Sequence, residues 1–126
     1  MLRITGLARR FGTRAILHDL DLALDRGEYV AVVGESGAGK STLLNLVAGL
    51  DVPERGRIEI DGTDIAALDE DARTRLRRTR VGFVFQAFHV LPHLTVAQNV
   101  ELPLVLLGVA QAERRERAQA LLDQVG

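Results

Sequence analysis

Residues 34–41 read Gly34, Glu35, Ser36, Gly37, Ala38, Gly39, Lys40, Ser41, and Thr42 follows. The run fits Gly-x-x-x-x-Gly-Lys-(Ser/Thr), the phosphate-binding loop, at every position. Chemistry accounts for the residue types. Gly34, Gly37 and Gly39 lack a Cβ, so the backbone can take unusual angles and come close to a phosphate. The N–H groups of the loop, from Ser36 and Ala38 to Ser41 and Thr42, can then converge on phosphate oxygens. A helix beginning near Lys40 would add the positive end of its dipole. Lys40 is suited to reach β- and γ-phosphates as a point charge, and the Ser41 hydroxyl is placed to ligate Mg²⁺.

The chain has 16 basic residues, and Lys40 is the only lysine among them. That lysine is spent in the loop, so no Asn-Lys-x-Asp guanine reader can form. The expected nucleotide is therefore ATP, with Mg²⁺, rather than GTP.

The motif needs a strand before it and a helix after it. Tyr29 to Val33 is a continuous apolar run, the pattern of a strand covered on both faces. A helical pattern runs from Lys40 to Gly49. Residues 2–8 mix apolar and polar positions as a short strand would, and Leu20, Leu22 and Leu24 alternate with polar neighbours. Turns are expected at Gly12, at Asp25-Arg26-Gly27 and at Asp61-Gly62, the last inside a hairpin over residues 57–65. Leu68, Ala72 and Leu76 recur at helical spacing, and Val81 to Phe85 reads as a second buried strand. Helices are expected from about Val96 and again from Glu113 to Val125. The fold class expected is α/β with an antiparallel β portion at the front.

Composition narrows the function classes. With 126 residues, 47% apolar and 26% charged, the chain has the usage of one ordinary globular domain. The net charge of −1 gives no support for nucleic-acid binding. There is no cysteine, which excludes disulfides and thiolate metal sites. The longest charge-free apolar stretch, Leu102 to Ala110, is far short of the roughly 20 residues of a membrane-spanning helix. The arginines before Asp19 could suggest a transit peptide, but Gly6 and Gly12 fit two strands and a turn better than an amphipathic helix.

The loop continues into LLNLVAGLDVPERGRIEIDG (Leu43 to Gly62), then VGFVFQ (Val81 to Gln86) and FHVLPHLTVAQNVELPL (Phe88 to Leu104). Together these resemble the nucleotide-binding subunits of ABC transporters, in particular the group that contains the lipoprotein-release and macrolide-export ATPases. The resemblance runs over residues 1–126, from the phosphate loop to the Q-loop and the start of a helical subdomain. It implies a P-loop ATPase core with an N-terminal antiparallel β subdomain. It implies that Phe11 stacks on adenine, the alternative being a buried hairpin phenylalanine. Gln86 matches the Q-loop glutamine, a Mg²⁺ ligand that also meets the attacking water or the γ-phosphate. Lys40 and Gln86 are then the catalytic residues within the chain, and Ser41 and Gln86 the metal ligands.

The implied partners are ATP, a membrane permease facing residues 87–104, and a second ATPase subunit in a homodimer. The implied place is the cytoplasmic face of the membrane, reached through the permease. Gln98 departs from the family pattern, which has glutamate before Asn99-Val100.

The 126 residues contain no signature motif, and no Walker B strand follows Gln86. Ile65 to Glu70 imitates Walker B, but it precedes Gln86 and runs into a helical pattern, so Asp69 and Glu70 are read as first-turn helix residues. Arg73, Arg75, Arg77, Arg78 and Arg80 are read as a solvated helix face with an Asp69–Arg73 pair. His18, His89 and His93 are read as surface or packing residues. The expectation is half of a domain about twice as long, with an incomplete sheet, and negligible hydrolysis on its own. Two other functions stay open: a non-hydrolysing nucleotide-binding module, and a soluble ABC-type ATPase.

Overall fold

The computed structural model describes residues 1–87 and 89–126. They form two units, Met1–Gly82 and Phe83–Gly126. The first is built on a four-stranded antiparallel sheet. β1 (Leu2–Phe11) pairs with β2 (Arg14–Leu24) on one side and β3 (Arg55–Ile60) on the other, and β4 (Thr63–Asp64) completes the order β2-β1-β3-β4. The Asp61-Gly62 hairpin turn forms as expected, with φ of 47° and 80° at its two residues. Those angles belong to the turn type whose twist suits two-residue hairpins.

β1 carries the core through an irregularity. Ile4 and Leu7 are both buried, at 2% and 0% exposure. Strict alternation would put residues three apart on opposite faces. The pairing with β2 shifts between Ile4 and Leu7, and that bulge returns Leu7 to the inner face. Gly6 sits in the bulge, and its N–H donates to the Asp21 carboxylate at 2.7 Å, replacing the lost ladder bond. β3 then passes very close. A Cβ on Gly56 would lie 2.5 Å from the Gly6 carbonyl oxygen.

α1 (Lys40–Val47) buries Leu43 and Leu46 against Ile4, Leu7, Ile58 and Ile65. Leu43, Leu46 and Val47 are spaced to share one helix face. Burial of a leucine such as Leu46 contributes roughly 1.5–3 kcal/mol.

α2 (Glu70–Arg80) is capped by Asp69, which accepts from the Ala72 N–H at 2.7 Å. Acids open this helix and arginines close it, as the dipole favours. The reading of residues 65–70 as a false Walker B is in accord with this. The solvated-face reading needs correction for two arginines. Arg77 donates to the Gly49 carbonyl at 2.7 Å, and Arg73 donates to the Leu68 carbonyl at 3.2 Å. The expected Asp69–Arg73 pair gives way to the cap, and Arg73 instead lies 3.8 Å from Glu70. Arg75, Arg78 and Arg80 are exposed.

A second correction concerns the two segments read as buried strands. Tyr29 to Val33 and Val81 to Phe85 lie outside every strand. Tyr29 is 93% exposed, Val33 86% and Val84 96%. Their apolar composition suits a parallel sheet, which needs a hydrogen-bonded neighbour. The four strands formed among the described residues pair only with each other.

The second unit is a helix pair, α3 (Val96–Leu106) and α4 (Gln111–Val125). Glu101, only 9% exposed, accepts from Arg114 Nε at 3.0 Å and joins them. Thr95 and Gln98 cap α3 reciprocally. The Gln98 N–H donates to Thr95 Oγ1 at 3.2 Å, and the Thr95 N–H donates to Gln98 Oε1 at 2.8 Å. Asn99 shapes the preceding loop. Its Nδ2 donates to the carbonyls of Leu91, Leu94 and Thr95, and its Oδ1 accepts from the Leu91 N–H.

Two outcomes follow from these contacts. Gly56→Ala should destabilise by about 3 kcal/mol through overpacking and left-handed strain, and Gly62→Ala, with open space around it, by roughly 1 kcal/mol. Equal urea midpoints for the two variants would contradict this. At the α3 cap, Gln98→Ala should cost about 0.5–1 kcal/mol, whereas Gln98→Glu keeps the acceptor and gains about 0.3–1 kcal/mol from the helix dipole. Hydrogen exchange at the Thr95 amide reads the difference.

Candidate nucleotide-binding site

The phosphate-loop residues enter α1 through a tight turn in which the Ala38 N–H donates to the Glu35 carbonyl at 3.2 Å. Gly39 is the N-cap, with φ of 94°, a left-handed angle that glycine takes without strain. It also has no room for a side chain, because a Cβ would lie 2.6 Å from Ile16 Cγ2 on β2. The start of α1 is thus seated on the β1–β2 hairpin.

No side chain caps α1, and no acid lies in its first turn. The first-turn amides of a helix have no partner within it, so this end carries partial positive charge. The Lys40 ammonium adds a full one. Its Nζ donates to the Gly34 and Glu35 carbonyls, both at 2.7 Å. An ammonium has three donors, and these two bonds leave one for a ligand. Ser36, Gly37, Ala38 and Ser41 are exposed, and Thr42 is half-buried. Gly34 to Thr42 is thus an exposed stretch at the positive end of α1 that holds one lysine, Lys40, and one acid, Glu35, and the Ser41 hydroxyl is a group that could meet a Mg²⁺ ion. Among the described residues no group of three or more His, Cys, Asp or Glu could hold a metal alone. A cation here would take most of its ligands from phosphate and water.

Phe11 ends β1 and pairs with Arg14 across the hairpin tip. The residue is 56% exposed, so it is not the buried hairpin phenylalanine of the alternative reading. The Arg9 guanidinium carbon lies 5.4 Å from the ring centroid. Arg9 also donates to the Val52 carbonyl and the Asp51 carboxylate, both at 3.0 Å. Sequence reasoning passed over this arginine. It stands two residues before Phe11 on β1, so strand alternation puts both on one face, and that spacing is the signal the sequence offers.

Gln86 belongs to the second unit, exposed at a bend. Nearby, the Phe83, Phe85 and His89 rings stack in series, with centroids 4.5 Å and 4.2 Å apart. His89 is thus a packing residue, as expected. Of the segment over residues 87–104, Phe88 lies outside the described residues. The rest exposes Val90 and Val96, at 61% and 70%. An apolar cavity of about 230 Å³ opens there, lined by residues between Val90 and Val100. Gln98, the departure from the family pattern, is the cap partner described above.

Comparison with known proteins places this geometry. The family model described as ABC transporter matches residues 17–126. The chain is 48% identical over its whole length to the macrolide export ATP-binding/permease protein MacB of Burkholderia pseudomallei. It is 45% identical, again throughout, to the probable syringafactin export ATP-binding/permease protein SyfD of Pseudomonas syringae pv. tomato. It spans about 20% of the length of each of these relatives. Among solved structures it is similar to an ATP-binding cassette in a dimeric post-hydrolysis state bound to ADP and Pi. That match has a TM-score of 0.87 at 38% identity and covers 98% of this chain and 56% of that one. A second dimeric structure, of a bacterial ABC transporter cassette, matches equally well. The exposed apolar segments at residues 29–33 and 81–85 therefore belong to a known cassette fold rather than to an unrelated one. On sequence and on fold alike, the chain belongs to the ABC transporter family.

Proposed function

We propose that this chain is the nucleotide-gripping part of an ABC transporter's ATP-binding subunit, which couples ATP binding and hydrolysis to substrate movement by a membrane permease. The observation that carries the proposal is the Lys40 ammonium, held 2.7 Å from two loop carbonyls beside the uncapped start of α1. The backbone amides from Gly34 to Thr42 hold the phosphates. Lys40 neutralises charge on the β- and γ-phosphates, and Phe11 offers its exposed ring to adenine. Ser41 would offer its hydroxyl to Mg²⁺, which when bound offsets charge on the transferring phosphoryl group. Gln86 carries an amide whose oxygen suits the metal and whose nitrogen suits an oxygen of the γ-phosphate or of water.

The partners belong to the same proposal. Relatives named as ATP-binding/permease proteins and cassettes solved as dimers support a permease partner and a second ATPase subunit. The exposed apolar residues Val90, Leu91 and Val96 suit the permease contact over residues 87–104. No helix of the described residues is long and apolar enough to cross a membrane. Attachment at the cytoplasmic face would then run through the permease.

Titration of the full-length protein with Mg-ATP tests the reading. ATP should bind in preference to GTP, and Lys40→Ala should weaken ATP at least tenfold, on the scale of a lost charge-assisted bond. Unchanged affinity in Lys40→Ala would overturn the proposal. These 126 residues should show negligible steady hydrolysis alone, because no general base stands among the residues assigned to the site. Turnover by the chain alone that Lys40→Ala abolishes would contradict that.

A further inference from the structure

We infer that Arg9 is a positioning residue for the nucleotide base, fixing the Phe11 ring relative to the phosphate loop. The inference rests on the reading of Phe11 as the adenine platform. Two observations within the first unit carry it. The Arg9 guanidinium lies against the Phe11 ring at 5.4 Å from its centroid. The same guanidinium grips the stretch just after α1, through the Val52 carbonyl at 3.0 Å and the two Asp51 carboxylate oxygens at 2.9 and 3.0 Å.

These two contacts make one chain of positions. α1 begins at the phosphate loop and ends just before Asp51, and Arg9 bridges Asp51 to the ring. At its other end α1 is seated on the same hairpin through Gly39 and Ile16. Base platform and phosphate cradle are therefore tied at both ends of one short helix. A cation on one face of the ring also steers the base to the remaining exposed surface of Phe11.

One guanidinium group thus lies over the ring and bonds Asp51 and Val52 at the same time. Lysine could supply the charge but not the face and the fork together.

The test compares two ligands on the full-length protein, Mg-ATP and Mg-tripolyphosphate, which lacks the base. Arg9→Met, which keeps the stem and loses the charge, should raise the Kd for ATP about two- to fivefold and leave tripolyphosphate unchanged. In a Phe11→Ala background the same substitution should add nothing. Asp51→Asn should show the same selectivity more weakly, and it decides the matter should Arg9→Met fail to fold. Equal weakening of both ligands would make Arg9 a structural pin and overturn the inference. So would an unaltered ATP affinity, or the same ATP loss with Phe11 already removed. Should Phe11→Ala itself fail to separate ATP from tripolyphosphate, the adenine-platform reading falls first, and the Arg9 inference with it.

Discussion

Leu46 has no exposed surface, and the site depends on its burial. A phosphate loop is a short stretch of glycine-rich chain with little to hold it. Its geometry is borrowed from α1, and α1 has only eight residues. Isolated helices of that length are unstable in water, so packing has to supply what propensity cannot. Leu43 and Leu46 provide it by meeting Ile4, Leu7 and Ile58 of the sheet. That contact requires Ile4 and Leu7 to face the same way, which the β1 bulge and the Asp21 bond to Gly6 accomplish. The position of Lys40 thus traces back to a strand irregularity more than thirty residues earlier in the chain.

Much of this was legible in the sequence because its signals are local. The phosphate loop is fixed by Gly34, Gly39, Lys40 and Ser41 alone. The Asp61-Gly62 hairpin follows from two adjacent residues that accept positive φ. The helix α2 follows from the spacing of Leu68, Ala72 and Leu76, and the Asp69 cap explains why Ile65 to Glu70 is no strand. What escaped is non-local. Nothing in the Arg73–Arg80 run tells which arginine reaches Gly49, because that depends on how α2 lies beside α1. The Arg9–Phe11 contact is local, two residues along one strand, but the tie from Arg9 to Asp51 and Val52 is not. Gln98, the departure from the family pattern, gives no local sign that its oxygen accepts from the Thr95 N–H.

The strand readings at residues 29–33 and 81–85 show a different limit. Valine-rich runs report that a segment suits burial on two faces. They do not report which strands will lie beside it. Here the antiparallel strands satisfy one another, and Tyr29, Val33 and Val84 are left facing solvent. Such surface is unusual on an isolated globular domain and typical of a face that another element covers. The cassette match covers 98% of this chain but 56% of the solved one, so the known fold has further chain beyond the matched part.

The single lysine also gives the chain an unusual chemical address. Fifteen of its sixteen basic side chains are guanidinium groups, which stay protonated and resist acylation. Within these residues the only ε-amine is the one that bridges the Gly34 and Glu35 carbonyls. Acetylation there would remove the charge and most of the donors together. Amine chemistry on this segment, whether enzymatic or accidental, thus converges on the phosphate cradle and the amino terminus.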